Sequence, residues 1–452
     1  MINSQLQDNI DEIKIELDKL KREKIFLEEK LKFLRAYGIN FFDETATEKN
    51  SPVANINDFD NFQDFLWGNN SNPKTSEKIF RNFYEMIDYW QRHLNTAKYG
   101  FLKYDKNILA SLYFGLQTEQ LILLAGNPGT GKTSLVKALA KSFDFDDAKI
   151  IPVQSNWTDK SDLLGYYNPL EKDYVSTPFL DALINFARQA ERNPEKLFII
   201  CLDEMNLAHV EYYFAEFLSI LQDNNAEITL YSERLQKDIL YELQNSGFRF
   251  DGDKISYEGT PLENLSLLER KYYFELRRLA QMLQNYPAKF SIPHNVKFFG
   301  TLNQDETTLD ISPKVLDRSY VIRVEKFLDD VATGDETPLR YKPLENFSPQ
   351  YELLNFDNFK SILQNFRAVH ISRRVTDKIF CNENFSIWAR ILSAPKICDF
   401  IISSCLLPKV RLDEENYDAA AEIEKLCKGN LSKGIWQKIN SPKTKSVDFW
   451  RR

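Results

Sequence analysis

Apolar residues recur with different periods along this chain, and the changes of period divide it. Near the start, Leu6, Ile10, Ile13, Leu17, Leu20, Leu27, Leu31 and Leu34 follow in alternating steps of four and three, with Lys24 at the one polar step. A 3.5-residue repeat of this kind, with no Gly or Pro inside it, predicts a coiled coil over residues 1–37. An amphipathic helix folded back on its own domain would carry a similar stripe, but the persistence of the period favours the coiled coil. Lys24 falls at an a position, where a polar residue selects register or partner at some cost in stability. Residues 38–104 read as a linker, Asn- and Asp-rich with Pro52 and Pro73, followed by a helical pattern over 77–94.

From residue 105 to 330 the pattern changes to short apolar runs at 121–125, 149–153, 197–202, 296–301 and 320–324, joined by helical stretches. The runs do not alternate, so they predict strands buried on both faces, as in a parallel α/β sheet wrapped by helices. A charged, irregular stretch over 223–293 interrupts this series and reads as an insertion of hairpin and helices. Residues 345–452 read as a smaller, mostly helical domain.

Composition narrows the picture. The chain has 452 residues, enough for more than one domain, and a net charge of -8, which argues against bulk affinity for nucleic acid. No apolar run approaches the ~20 residues that cross a bilayer, and the N-terminus lacks an apolar leader. Five cysteines without a C-x-x-C pair, and only four histidines, point to buried thiols in a reducing cytoplasm rather than to a zinc site.

The chemistry begins behind the first strand. Gly126, Asn127, Pro128, Gly129, Thr130, Gly131, Lys132 and Thr133 fit G-x-x-x-x-G-K-[ST], between a predicted strand and a helix opening at Ser134. The glycines let backbone N–H groups converge on phosphate oxygens. Lys132 is expected on the β- and γ-phosphates and Thr133 on magnesium. The strand over 197–202 is followed by Asp203 and Glu204, at the carboxyl edge where ligands sit in an open α/β sheet. Asp203 is the second candidate for the metal, and Glu204 is placed to orient or deprotonate an attacking water. In the following helix, Val210, Tyr213, Phe214, Phe217, Leu218 and Leu221 share one face and read as core. Asn303, just past the strand over 296–301, is a polar amide able to bond both γ-phosphate and water. Arg318, between a short helix and a strand, can project toward a neighbouring subunit, although an ion pair with Asp317 or Asp310 competes as a reading.

Taken together these residues resemble the AAA+ class and, within it, the McrB-type branch, the nucleotide-driven motor of modification-dependent restriction systems. The stretch "LDEMNLAHVEYYFAEFLSIL" is similar to the Walker-B helix of that branch, and "FFGTLNQDETTLDISPKVLDRSYVI" to its sensor segment. "WTDKSDLLGYYNPL" also resembles these proteins. In the lid, "ISRRVTD" is similar to the sensor-2 helix, which makes Arg374 the sensor-2 candidate, with Arg373 the alternative. The resemblance implies a five-stranded sheet, a helical lid, and a homo-oligomeric ring, taken as hexameric, with sites between subunits. It further implies hydrolysis of ATP or GTP with magnesium, coupled to a partner nuclease in restriction or anti-phage defence. Where the branch reads Asn-Thr-Ala-Asp-Arg, this chain reads Asn303-Gln304-Asp305-Glu306-Thr307, and Leu207 stands where an arginine often follows the Walker-B asparagine.

A chaperone ATPase of the MoxR type shares most of these motifs, and a nucleotide-gated scaffold built on the coiled coil is the non-enzymatic alternative. DNA contact, if the complex makes one, is expected from the basic residues of the insertion (Arg234, Lys237, Arg249, Lys254, Arg270, Lys271, Arg277, Arg278). Acids intersperse there, so a solvated face is the stronger expectation.

Overall fold

The computed structural model describes residues 78–450, apart from 119–120, 144, 146–147, 195, 222–226, 252–253, 306–308, 328, 354–355 and 365–378. The expected coiled coil and most of the linker lie outside the described residues. Two compact units are present. The described part of one is Leu243–Asn264, which carries the antiparallel hairpin Phe248–Asp251 with Lys254–Tyr257. In that hairpin Arg249 pairs with Glu258 at 3.1 Å. The other unit holds the remaining described residues, the phosphate loop among them.

The centre of this second unit is a five-stranded parallel sheet, as the resemblance implied. The strands are β1 (Leu121–Gly126), β2 (Lys149–Pro152), β3 (Phe198–Asp203), β4 (Val296–Asn303) and β5 (Tyr320–Arg323), in the order β5-β1-β4-β3-β2. β1 is buried throughout, and β3 and β4 are buried up to their last residues. The continuous apolar runs are therefore explained by helices on both faces. β2 departs from the expectation: it lies at the sheet's edge and is half-exposed, which Lys149 and Pro152 suit.

Register aligns the strand ends. Gly126 stands opposite Asn303, and Pro152 opposite Asp203. Leu202 stands opposite Gly300, which places Asp203 beside Thr301. The carboxyl ends of β1, β3 and β4 therefore finish in line.

Helices α1 (Phe83–Leu94), α2 (Lys106–Thr118), α3 (Lys132–Ser142) and α4 (Pro178–Arg192) belong to this unit. α1 starts at Phe83 rather than near 77 because the Asn82 side chain accepts from the Tyr84 and Glu85 amides and caps the helix. The Walker-B helix also differs from expectation. It is two short pieces, Val210–Tyr213 and Ala215–Ile220, separated at Phe214, whose ψ of 6° leaves the helical range. The apolar face survives the break. Phe179, Phe214, Phe217 and Phe298 form a ring cluster with centroids 5.0–6.3 Å apart, each pair adding about 0.5–1.5 kcal/mol beyond burial. This cluster fastens the chain after Glu204 to β4.

Between β2 and β3 the chain forms a small hairpin, Tyr166–Asn168 with Asp173–Val175, with Leu170 almost fully exposed at its turn. Between β3 and β4, Glu227–Thr229 pairs with Lys289–Ser291, and the long helix α5 (Leu267–Asn285) lies within that excursion. The C-terminal region, read as mostly helical, also carries short strands. Helices α6 (Phe385–Leu392), α7 (Ala394–Ile401) and α8 (Asn430–Ile439) are joined by a three-stranded antiparallel sheet of Arg411–Leu412, Ser446–Asp448 and Asn440–Ser441. Strands of two or three residues leave no readable period. α8 is fixed to α7 by the buried Asp399, whose carboxylate accepts from the amides of Leu431 and Ser432 at 3.1 and 2.8 Å. Of the thiols, Cys201, Cys405 and Cys427 are buried, but Cys398 is half-buried and Cys381 exposed, against the expectation that all are buried. No single helix among the described residues is long and apolar enough to cross a membrane.

Candidate active site at the carboxyl edge of the sheet

The loop after β1 is shaped by glycine. Gly129 and Gly131 have φ of +76° and +86°, a region that costs other L-residues roughly 1–2 kcal/mol. A Cβ on Gly126 would fall 2.2 Å from the Val324 carbonyl oxygen, so only glycine lets β1 end against that chain. The loop delivers Gly131 to the N-cap of α3, where the first backbone N–H groups lack helical acceptors and the helix field favours an anion. Asn127, Pro128 and Gly129 are exposed at the loop's crest, and Ser134 is exposed in the first turn of α3.

Lys132 is buried, and its ammonium donates to the carbonyls of Gly126 at 2.8 Å and Asn127 at 2.9 Å. Burial lowers its pKa, opposed by the nearby carboxylates of Asp203, Glu204 and Asp305. Those three acids therefore share the field of this one cation. The loop is also held from outside, because the Tyr104 hydroxyl donates to the Gly131 carbonyl at 2.8 Å. Tyr104 lies 27 residues upstream and nothing in its sequence context marks it.

The acid edge is assembled from β3 and β4. The Thr133 hydroxyl donates to Asp203 Oδ1 at 2.6 Å, and the Thr301 hydroxyl donates to the same oxygen at 2.7 Å. Thr301 Oγ1 in turn accepts from the Glu204 amide at 2.8 Å. Asn303 Nδ2 donates to Glu204 Oε1 at 3.2 Å. Lys132, Thr133, Asp203, Glu204 and Asn303, named from sequence, are thus brought together, and Thr301 is the residue that joins them.

Two features of this edge escape a sequence reading. Glu204 has φ +56°, a left-handed backbone for a non-glycine residue, a conformation that costs about 1–3 kcal/mol and persists only where the surroundings enforce it. Here the enforcement comes from Thr301 on its amide and from the Leu207 amide, which donates to its carbonyl at 3.0 Å. The second feature is Asn206, which is buried. Its amide group donates to the Asn303 carbonyl at 2.9 Å and accepts from the Asn303 N–H at 3.1 Å. It therefore grips both backbone groups of Asn303.

Arg318 follows the short helix Pro313–Leu316, and its guanidinium donates to Ser219 Oγ at 3.4 Å. Asp317 accepts Lys409, and Asp310 accepts Arg411 at 3.3 Å, so both acids considered for Arg318 hold other cations. The sensor-2 candidate Arg374, with Arg373, lies outside the described residues. A cleft of about 440 Å³ runs beside the phosphate loop, lined by Gly126, Asn127 and Thr130 on one side and by Gln304, Arg323 and Lys438 among others.

The hard oxygens of Thr133 and Asp203, 2.6 Å apart, suit a magnesium ion that takes its remaining ligands from phosphate and water. Among the described residues no group of three or more His, Cys, Asp or Glu forms a metal cage. Residues 121–250 match the family model described as an AAA domain of the dynein-related subfamily. That span runs from β1 through the acidic edge of β3, so the chain carries an AAA+ ATPase domain, whose general chemistry is nucleotide hydrolysis.

Proposed function

We propose that this AAA domain hydrolyses ATP or GTP with magnesium as one subunit of a ring, and that the cycle drives or gates a partner nuclease in restriction-type defence. The hydrolytic part is supported by the continuous hydrogen-bonded chain Thr133–Asp203–Thr301–Glu204–Asn303, in which a carboxylate accepts from an amide beside the phosphate loop. A binding module needs the cradle alone, whereas a hydrolase also needs a positioned base. The nuclease-coupled part is supported by the similarity of residues 202–221 and 298–322 to the McrB-type branch.

In this reading Lys132 exchanges the carbonyls of Gly126 and Asn127 for the β- and γ-phosphate oxygens. When bound at Thr133 and Asp203, magnesium supplies charge neutralisation along the phosphates. Glu204 holds the attacking water and takes its proton, and the Asn303 amide keeps that carboxylate turned toward the water. Arg318 serves the neighbouring subunit's site, where it meets charge that develops on the transferred phosphoryl group.

The test is phosphate release by the purified full chain with magnesium and ATP or GTP, alone and with any nuclease found encoded beside it, scored together with DNA cleavage. Turnover and cleavage that both vanish in Glu204→Gln support the proposal. Absence of turnover with either nucleotide, with or without the partner, removes the enzymatic reading and favours a nucleotide-gated scaffold. Turnover without nuclease binding or cleavage favours a remodelling ATPase of the MoxR type.

A further inference from the structure

The Phe449 carbonyl meets Gln304, just past β4, and Arg323, at the end of β5. Phe449 is fully buried directly after the strand Ser446–Asp448, and Trp450 Nε1 donates to the Pro408 carbonyl at 3.0 Å. The Phe449 carbonyl between them is therefore fixed in place. It accepts from Arg323 Nη1 at 2.5 Å and from Gln304 Nε2 at 3.4 Å. Gln304 directly follows Asn303 and is itself buried. Arg323 ends β5 opposite Ala125, one residue before the phosphate loop, and its Nε donates to Glu325 at 2.9 Å. Glu325 also pairs with Lys438 of α8.

The same C-terminal region reaches the stretch between β4 and β5. Lys409 pairs with Asp317, next to Arg318, and Arg411 with Asp310. Polar links thus tie residues 409–449 to the segment that carries Asn303 and Arg318. The closure buries the apolar Phe449 and Val447 side chains, as a structural seal would. It also commits a buried guanidinium and a buried amide to one main-chain oxygen, and such groups fix direction more than they add stability.

We propose that the tail is a positioning strap, in which the Phe449 carbonyl, held by Gln304 and Arg323, sets the orientation of Asn303 and through it of Glu204. The inference rests on the hydrolytic reading of the site. Gln304 and Arg323 are positioning residues in this proposal: both side chains are committed to the Phe449 carbonyl, although both also border the cleft beside the phosphate loop. Movement of α8, with Lys438 on Glu325, is then transmitted to the base.

The test compares Gln304→Met, Arg323→Met and Arg323→Lys in the full chain. Loss of either bond lowers kcat by up to about 100-fold, the order for a misplaced catalytic group, and the loss in kcat exceeds any change in KM. Arg323→Lys, which keeps one donor, recovers part of the loss. In an Asn303→Ala background the same substitutions have no further effect, because they act through that side chain. Backbone amide exchange at Asn303 accelerates in both methionine variants. Unchanged kcat in both, or losses fully additive with Asn303→Ala, overturns the strap. If the unaltered chain shows no turnover, the hydrolytic reading fails by itself, and amide exchange still decides the strap: unaltered protection at Asn303 overturns it.

Discussion

The phosphate cradle and the acid edge lie side by side but are built by opposite means. The cradle is local: eight consecutive residues, two of them glycines with positive φ, form a loop whose shape is set by backbone sterics. The acid edge is assembled. Thr133 reaches Asp203 across 70 residues of sequence, Thr301 reaches Asp203 across 98, and Asn303 reaches Glu204 across 99. The cradle depends on what each residue is. The acid edge depends on the register of β1, β4 and β3, because a slip of one residue would turn Thr301 and Asn303 to the other face. On the proposed function, binding therefore resides in a sturdy local motif, and hydrolysis in a geometry that tertiary structure must maintain.

The largest expected effect strikes the local half. Lys132→Ala removes the one cation buried in the loop, and nucleotide affinity falls by a factor of about 100 or more, about 3 kcal/mol or greater; calorimetry reads this directly. Affinity within about threefold of the unaltered chain would remove the cradle from the site.

Glu204 separates the two halves. Glu204→Gln leaves affinity near normal and lowers turnover by about 10²- to 10⁴-fold. Glu204→Gly lowers turnover as much but relaxes the +56° backbone, so its thermal midpoint equals or exceeds that of Glu204→Gln. A lower midpoint for the glycine variant would show that the left-handed turn stores no strain.

Arg318→Ala tests whether the assembled half extends beyond one chain. It binds nucleotide but slows hydrolysis, and mixing it with Glu204→Gln protein restores part of the turnover, since each supplies what the other lacks. No recovery at any mixing ratio confines Arg318 to its own subunit.

Thr301→Val is a finer cut. It keeps the side-chain shape but takes one donor from Asp203 and the acceptor from the Glu204 amide, at a cost of about 1–3 kcal/mol. Turnover drops by roughly 10- to 100-fold, while metal-free nucleotide affinity does not move. A change in both measurements together would mean the two halves are one cooperative unit.

The smallest effect comes from outside both. His93 in α1 is buried between the Tyr99 hydroxyl and the Asp335 carbonyl, and burial lowers its pKa from 6.5. Its stabilising contribution is present above pH 6.5 and is lost as pH falls through the depressed folded value, because the unfolded chain takes up the proton first. His93→Gln flattens the pH dependence of the melting midpoint in that window and leaves the ratio of binding to turnover unchanged.

Reading the sequence found what is contiguous. The P-loop, the buried runs of β1, β3 and β4, and the acids at the tip of β3 all announce themselves within a dozen residues. It did not find Thr301 as a bridge, Asn206 as the clasp on Asn303, or Tyr104 on the loop, because each acts on a residue far along the chain through hydrogen bonds that leave no period. It also ran one helix through Phe214, where the apolar face continues but the backbone does not, and it saw no strand in Ser446–Asp448.

The sequence alone determined the α/β architecture and the phosphate loop, since both follow from periodic burial and from glycine's freedom at positive φ. Only the tertiary structure decided the acid edge, the left-handed Glu204 and the grip of Gln304 and Arg323 on Phe449. Those arise from strand order and register, and a hydrogen bond between residues a hundred positions apart exists only once the sheet has aligned them.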